Sequence, residues 1–417
     1  MLIFEIISII LLSVLLFWTV YNGSIIYVGV RSRHKRAVNH VENKEFPKFS
    51  IIVPTKDEES VIGRCLNGIL DFDYPKDRME IIIVDGNSSD STCKVCSEFL
   101  EKYSGMVRII NEKQSRGKPA ALNVALPLVT GEIVGVFDAD SVPEKDVLKK
   151  VASHFVDRQV MAVQGRTISL NEKSNILTRV IAQEEKAWYQ ALLNGREKMQ
   201  LFVPLNGTCQ FIKRNVIEEL GGWDESSLTE DVELAVRLVE KKYLIKYAPD
   251  ACSGQETPTS LGGLVKQRVR WYRGYMETSL KYGRLLDNVN RRTVDAEVSL
   301  LGPFMMVVSL LSYVNWFFIV LFLSSSSPII NFTGLVIALT AVSLFSIGIG
   351  LTASERPIKV RNLLWVPSIY IYWLLQMCIA GWAFLKFIFR RKKVWSKTIK
   401  KGFMTTNLKP FKAASNL

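Results

Sequence analysis

Asp138 and Asp140 stand one residue apart at the end of the apolar run Glu132-Ile133-Val134-Gly135-Val136-Phe137. A run of this kind reads as a buried parallel strand, and ligands in open α/β sheets bind outside the carboxyl ends of such strands. Two carboxylates this close can share one hard divalent cation, which takes oxygen ligands and keeps places for phosphate oxygens. The competing reading of Asp138-Ala139-Asp140 is an acidic turn capping the next helix. Arg116-Gly117-Lys118-Pro119 sets a cation and a flexible glycine at a helix start, a geometry suited to phosphate, or else a plain solvated terminus. It is not a P-loop, because the spacing Gly-x4-Gly-Lys-Ser/Thr is absent. Asp85, at the end of another apolar run and followed by Gly86-Asn87-Ser88-Ser89-Asp90, could hold a base or ribose, or simply stabilise its own loop.

The elements that must position these groups follow from the patterning. Apolar runs at Ser50-Ile51-Ile52-Val53-Pro54, Glu80-Ile81-Ile82-Ile83-Val84-Asp85, Val107-Arg108-Ile109-Ile110 and Glu132 to Phe137 alternate with helical periods. That alternation predicts an α/β fold with a mostly parallel sheet and helices on both faces. One helix should start near Glu58 and the next just after Asp85 to Thr92, carrying Cys93-Lys94-Val95-Cys96 in an ordinary amphipathic turn. The six cysteines show no second pair and no zinc spacing, so they read as reduced thiols.

Of 417 residues, 48% are hydrophobic, a share that suggests membrane segments. Residues 2 to 21 are long and apolar enough to cross a bilayer, and Arg31, Arg33, His34, Lys35 and Arg36 follow, which puts the next domain in the cytoplasm by the positive-inside tendency. The formal charge of +13 lies wholly after Glu355, where thirteen basic side chains meet no acid. The first 355 residues balance 40 against 40, which argues against nucleic acid as a partner of the globular part. The basic tail reads as a surface anchor on anionic membrane lipids, or as a solvated end.

Taken in order, several stretches resemble one family. Val53-Pro54-Thr55-Lys56-Asp57-Glu58, Ile83-Val84-Asp85-Gly86-Asn87-Ser88-Ser89-Asp90, Gly117-Lys118 and Asp138-Ala139-Asp140 look like the nucleotide-sugar half of the family-2 inverting glycosyltransferases. Asn206-Gly207-Thr208-Cys209-Gln210, Gly221-Gly222-Trp223-Asp224 and Thr229-Glu230-Asp231 resemble the acceptor half, and Gln267-Arg268-Val269-Arg270-Trp271 resembles the Gln-x-x-Arg-Trp signature of membrane-embedded members such as cellulose, hyaluronan and poly-N-acetylglucosamine synthases. The resemblance implies a GT-A type, Rossmann-like domain over 49–255. It assigns the catalytic base to Asp231, the nucleotide-sugar donor to Thr55, Glu58, Asp85, Lys118, Asp138, Gln267 and Arg270, and the acceptor to Asn206, Gly207, Thr208, Glu230 and Trp271. It implies Mg2+ or Mn2+ on Asp140 and Asp138. The first motif usually reads Tyr-Asn-Glu, so with Lys56 here no aromatic is available at that position to stack on uracil. Thr229-Glu230-Asp231 can also be read as a helix N-cap, and Trp271-Tyr272 as part of a membrane-interface belt.

This gives an expected organisation: an N-terminal membrane helix over 1–22, a linker over 23–48, the catalytic domain, amphipathic interfacial helices over 256–297, membrane segments over 298–389 (near 298–323, 331–352 and 363–389), and a basic tail over 390–417. Three further crossings would put Arg390-Arg391-Lys392-Lys393 outside, against the positive-inside tendency, unless one segment is re-entrant, for instance broken at Pro367. The expected activity is transfer from a nucleotide-diphosphate sugar, UDP-linked by preference, to a saccharide as a growing β-linked polysaccharide. The alternatives are single transfer to a membrane lipid or lipid carrier, and a non-catalytic sugar-binding scaffold. The sequence names no protein partner.

Overall fold

The computed structural model describes residues 2–32, 46–283, 289–322, 366–393 and 400–402, with isolated positions at 334, 335, 338 and 342. The predicted span near 331–352 and the basic cluster Arg33 to Arg36 therefore fall, but for those few positions, outside the described residues.

Eight strands form one sheet: β1 (Phe49–Thr55), β2 (Met79–Asp85), β3 (Val107–Asn111), β4 (Ile133–Val136), β5 (Val142–Pro143), β6 (Val160–Ser169), β7 (Gln210–Lys213) and β8 (Leu244–Gln255). Their order is β3-β2-β1-β4-β7-β6-β8-β5. The four strands expected from the sequence are all present and pair in parallel, with Thr55 beside Asp85 and Ile52 beside Val136. The sheet extends further, because β7 runs antiparallel between β4 and β6, and β5 antiparallel to β8. Helices cover both faces. The alternation of β1 splits its side chains, sending Ile51 and Val53 into one apolar cluster with α2 (Ile62–Leu70), α3 (Thr92–Lys102) and α5 (Val147–His154). Ile52 faces a second cluster with α4 (Lys118–Ala125) and, further along the chain, α9 (Glu230–Glu240).

Strand order reverses about β1, whose neighbours β2 and β4 lie on opposite sides, so the loops after β1, β2 and β4 open into one crevice. α2 starts at Ile62 and not near Glu58, because Glu58 closes a turn first: its carbonyl accepts from both Val61 and Ile62 N–H, and its own N–H donates to Thr92 Oγ1. α3 carries Cys93 and Cys96 as expected, with Cys96 buried.

The opposite side of the crevice is framed by α6 (Ile176–Ala187), a wide π-helical turn at Trp188–Leu192, α7 (Leu193–Lys198), α8 (Arg214–Glu219), α9 and α10 (Leu261–Tyr282). α10 is not a simple amphipathic helix with its basic residues to solvent. Arg268 and Arg273 are both buried, the first against Glu184 at 2.5 Å and the second against Glu277 at 2.8 Å. Among the described residues α1 (Leu2–Arg31) and α13 (Val366–Ile388) are long and apolar enough to cross a membrane. α11 (Arg291–Leu300) and α12 (Gly302–Phe322) pass the same test only as a pair bent by 45°. α1 runs ten residues past the predicted end at 21, and that extension packs on the α/β domain. An added Cβ at Gly29 would lie 1.8 Å from the Ala191 carbonyl oxygen and one at Gly195 2.0 Å from that of Ile25, so the helices cross backbone to backbone. Buried Arg196 joins Asp295 of α11 at 2.5 Å and Tyr21 of α1 at 3.0 Å beside this crossing.

α12 and α13 lie antiparallel, with Tyr313 against Tyr370 at one end and Phe304 against Phe387 at the other. Pro367 sits in the first turn of α13, where its missing N–H costs nothing, and does not break the helix. The basic end of α13 thus lies on the side of the α/β domain: Lys393 reaches Glu277 at 2.9 Å and the Ser226 carbonyl at 2.8 Å. Ile10, Phe17, Val20, Phe317, Phe318, Ile371 and Trp382 form the outward faces of these helices, an apolar belt suited to lipid.

Candidate active site

The loop after β4 is fixed from beneath. Asp138 N–H donates to Thr208 Oγ1 at 3.1 Å, and Thr208 Oγ1 lies 2.9 Å from Ser141 Oγ. β5 then pairs with the end of β8, which brings Glu256 under the second aspartate. Each carboxylate already faces an ammonium. Lys118, at the start of α4 after Gly117 (φ +101°), places its Nζ 2.5 Å from Asp138 Oδ1, 2.7 Å from the Gly207 carbonyl and 3.7 Å from Glu230. Lys400 Nζ lies 2.7 Å from Asp140 Oδ2 and 2.6 Å from the Glu256 carbonyl. Burial alone would raise Asp140, but Lys400 and the Glu256 N–H, which donates to it at 2.9 Å, hold its carboxyl below the usual range. The tail is latched there by Lys401 N–H on Glu256 and by Arg64 donating to the Gly402 carbonyl. Lys400 thus departs from the membrane-anchor reading of the tail, since its Nζ turns into the protein against Asp140, whereas Lys393 stays at the surface.

No three His, Cys, Asp or Glu side chains converge to enclose an ion among the described residues. The protein supplies two carboxylates, and each is met by a cationic nitrogen. That donor set fits a hard divalent cation only if a ligand's own oxygens complete the shell.

Across the crevice, Glu230 and Asp231 open α9. Thr229, the cap residue, makes no side-chain cap bond and leaves its Oγ1 without a partner, so the triplet does not serve as a side-chain N-cap. Asp231 Oδ1 accepts from Val232 N–H at 2.8 Å, and Oδ2 faces Gly207, where an added Cβ would lie 3.1 Å away. Burial and the adjacent Glu230 carboxylate push Asp231 up to about 7, while Lys118, Val232 N–H and Arg270 oppose them. α10 packs hard onto this corner at Gly274, where an added Cβ would meet Thr229 Cγ2 at 2.5 Å. That contact brings Gln267, Arg270 and Trp271 to the cavity. Arg270 donates to the Leu228 carbonyl at 3.1 Å and keeps a buried Nε with no partner. One face of Trp271 is covered by the Arg268 guanidinium, 4.6 Å from the ring centroid, so only the other face can meet a ligand.

A single cavity of about 590 Å³ joins Thr55, Glu58, Lys118, Asp138, Asp140, Asn206, Gly207, Glu230, Asp231, Gln267, Arg270 and Trp271. It brings together twelve of the fourteen residues singled out from the sequence. Asp85 and Thr208 are not on its wall. Asp85 accepts from Ser88 N–H at 3.0 Å and Ser88 Oγ at 2.6 Å, the loop-stabilising geometry, and Thr208 braces the Asp138 loop from below. Thr55 Oγ1 is buried without a partner at the donor end, and Lys56 bridges to the Gly86 carbonyl at 2.8 Å. Beyond Trp271 the cavity turns apolar, between Leu15, Trp18 and Ile26 of α1, Met305 and Met306 of α12, and Ile369, Trp373 and Met377 of α13. Lys400, Glu256 and Glu185 also line it and were not found from sequence, because no local spacing ties them to the motifs.

Residues 47–274 match the family described as glycosyltransferase like family 2. The chain is 37% identical over 242 residues to a probable glycosyltransferase, YdaM, of Bacillus subtilis, covering 57% of this chain and 58% of that protein. It is 34% identical over 243 residues to a β-monoglucosyldiacylglycerol synthase of Trichormus variabilis, covering 58% and 51%. It spans little more than half the length of these two relatives. A poly-β-1,6-N-acetyl-D-glucosamine synthase of Staphylococcus epidermidis is 24% identical over 399 residues, 90% of this chain and 92% of that one. The fold is that of a mannosyltransferase from Pyrobaculum calidifontis solved with GDP-Man and Mn2+, at 21% identity and TM-score 0.57 over 93% of this chain and all of the other.

Proposed function

Because this chain belongs to the family-2 glycosyltransferases, we propose that it is a membrane-bound inverting enzyme moving a sugar from a nucleotide-diphosphate donor, UDP-linked by preference, to a growing β-linked polysaccharide. The observation that carries the reading is Asp231: a carboxyl raised to about 7 in the cavity that also holds Lys118, Asp138 and Asp140. A base tuned near the working pH combines an ionised fraction with real proton affinity. Asp231 Oδ2 would take the acceptor hydroxyl proton while the hydroxyl oxygen attacks the anomeric carbon from the face opposite the departing diphosphate. Lys118 and Arg270 would donate to the diphosphate oxygens, with the free Arg270 Nε available for that purpose. Asp138 and Asp140 would hold Mg2+ or Mn2+, which would neutralise charge on the leaving group. Thr55 Oγ1 is a donor and acceptor suited to the base or ribose, and Trp271 offers its open face to a pyranose.

The basic end of α13 and the catalytic domain lie on one side, which supports a multi-pass protein with that domain in the cytoplasm. The apolar inner half of the cavity favours a second reading, single transfer to a membrane lipid. Purified protein in lipid discs, given a panel of UDP- and GDP-sugars with Mg2+, Mn2+ or chelator, separates them. A ladder of products supports the polymer, one lipid-linked product supports single transfer, and no transfer from any donor refutes both.

A further inference from the structure

Two adjacent glutamates on α6 have opposite circumstances. Glu184 is engaged on both sides, with Arg268 at 2.5 Å and the Tyr372 hydroxyl at 2.8 Å, and so ties α6 to α10 and α13. Glu185 also lines the cavity, but its Oε2 is buried and has no hydrogen-bond partner. A buried acceptor left unmade is costly and needs a reason. The two nearest cations are committed elsewhere: Arg268 to Glu184, with its guanidinium over Trp271, and Lys400 to Asp140 and the Glu256 carbonyl. Gln255 hydrogen-bonds the Glu185 carboxyl, which leaves Oε2 as its free oxygen, and burial pushes the carboxyl up to about 7 against the pull of Arg268, Lys400 and Gln255.

The surroundings point to a ligand. One turn after Glu185 comes the π-helical turn Trp188–Leu192, a distortion that recurs at functional sites. Its Tyr189 hydroxyl accepts from Asn206 Nδ2 at 3.2 Å, and Asn206 precedes Gly207, which faces Asp231. Glu185, Tyr189, Asn206 and Asp231 therefore mark a polar line along one wall of the cavity, leading from the charged cluster at Lys118, Asp138 and Asp140 towards the apolar inner half. From this geometry we infer that Glu185 is an acceptor-positioning residue: its free oxygen receives a hydroxyl of an uncharged polyol, either the end of a saccharide or the glycerol of a lipid. The identification of that ligand as the acceptor rests on the sugar-transfer reading above. An anionic ligand is disfavoured, because it would meet a carboxyl group with no salt-bridge partner of its own.

The test uses binding as well as turnover. The full-length protein is taken in a detergent whose headgroup is not a polyol, lauryldimethylamine oxide, and titrated with cellobiose or with 1,2-dioctanoylglycerol while tryptophan emission is followed, since Trp188 and Trp271 line the cavity. Wild type should bind one of the two, which names the source of the hydroxyl. Glu185→Gln should weaken that binding about tenfold, leave UDP-sugar affinity within twofold, and leave the Tm of the ligand-free protein unchanged or higher. Glu184→Gln, which breaks the tie to Arg268, should instead lower the Tm. Equal probe binding by Glu185→Gln, a lowered Tm for that variant, or failure of wild type to bind either probe overturns the inference. Absence of turnover with intact, Glu185-dependent binding would refute the transfer reading and leave the polyol site standing.

Discussion

Replacing Asp231 by Asn keeps the shape of the side chain and removes the proton acceptor. General-base assistance contributes about 10² to 10⁴ in rate, so Asp231→Asn should lower kcat about a thousandfold, roughly 4 kcal/mol of barrier. Lys118, Asp138 and Arg270 are untouched, so UDP-sugar affinity should stay within about twofold, a margin of about 0.4 kcal/mol. Two pH signatures follow from the rise of the carboxyl from 3.8 to about 7. The base acts when ionised, so wild-type kcat/KM should climb through about pH 7 to a plateau and fall to about one hundredth of it two pH units lower. Stability runs the opposite way. An acid raised on folding contributes stability that is fully present below its unfolded pKa and is lost as pH rises through its folded value. Wild type and Asp231→Asn should therefore have similar Tm values at pH 4, diverge as pH rises towards 7 and stay apart above it, with the variant the more stable. The ceiling on that gain is about 4 kcal/mol, and the expected effect is smaller because Asp231 is only partly buried and water screens it. Steady-state kinetics from pH 5 to 9 and thermal melts from pH 4 to 9 make the measurement. An Asp231→Asn enzyme within threefold of wild-type kcat, or a pH profile flat through neutrality, would refute the assignment.

Asp140→Asn should weaken cation-dependent donor binding at least tenfold, read by calorimetry with and without Mn2+; equal affinities in both conditions would remove Asp140 from the cation. Lys400→Met leaves a buried carboxylate without its cation, a change that typically costs about 3–5 kcal/mol, so its Tm in chelator should fall by several degrees and recover when Mn2+ is added together with UDP, whose oxygens complete the shell. An unchanged Tm in chelator would mean that the tail does not hold Asp140 in solution. Gly274→Val drives a side chain into Thr229 and moves Arg270 and Trp271 together, so kcat/KM should drop about a hundredfold, the cost of a misplacement of about 1 Å, while far-UV circular dichroism stays the same.

Much of the crevice was legible because its residues sit at strand ends and helix starts, where apolar runs and glycines mark the boundaries. Thr55, Lys118, Asp138 and Asp231 belong to that class. Helix phase was harder to read. Within Gln267-Arg268-Val269-Arg270-Trp271 the sequence treats Arg268 and Arg270 alike, yet both line the cavity with different partners, Arg268 paired with Glu184 and Arg270 keeping a free Nε. The same holds for Glu184 and Glu185, where only tertiary partners separate a strut from a free carboxylate. Lys400 could not be found at all, because 260 residues separate it from Asp140 and its neighbours look like any basic tail. Asp85 shows the converse, a well-placed acid whose oxygens are already taken by Ser88.

The crossing at Gly29 and Gly195, with Arg196, Asp295 and Tyr21 beside it, bears on how the enzyme would work at a surface. A body joined to its membrane helix by backbone contact has no loose joint there, so in the proposed membrane setting its reaction plane would stay at one height above the lipid. Whatever is glycosylated must bring its hydroxyl to that depth, and repeated addition would require the product to slide while the protein stands still.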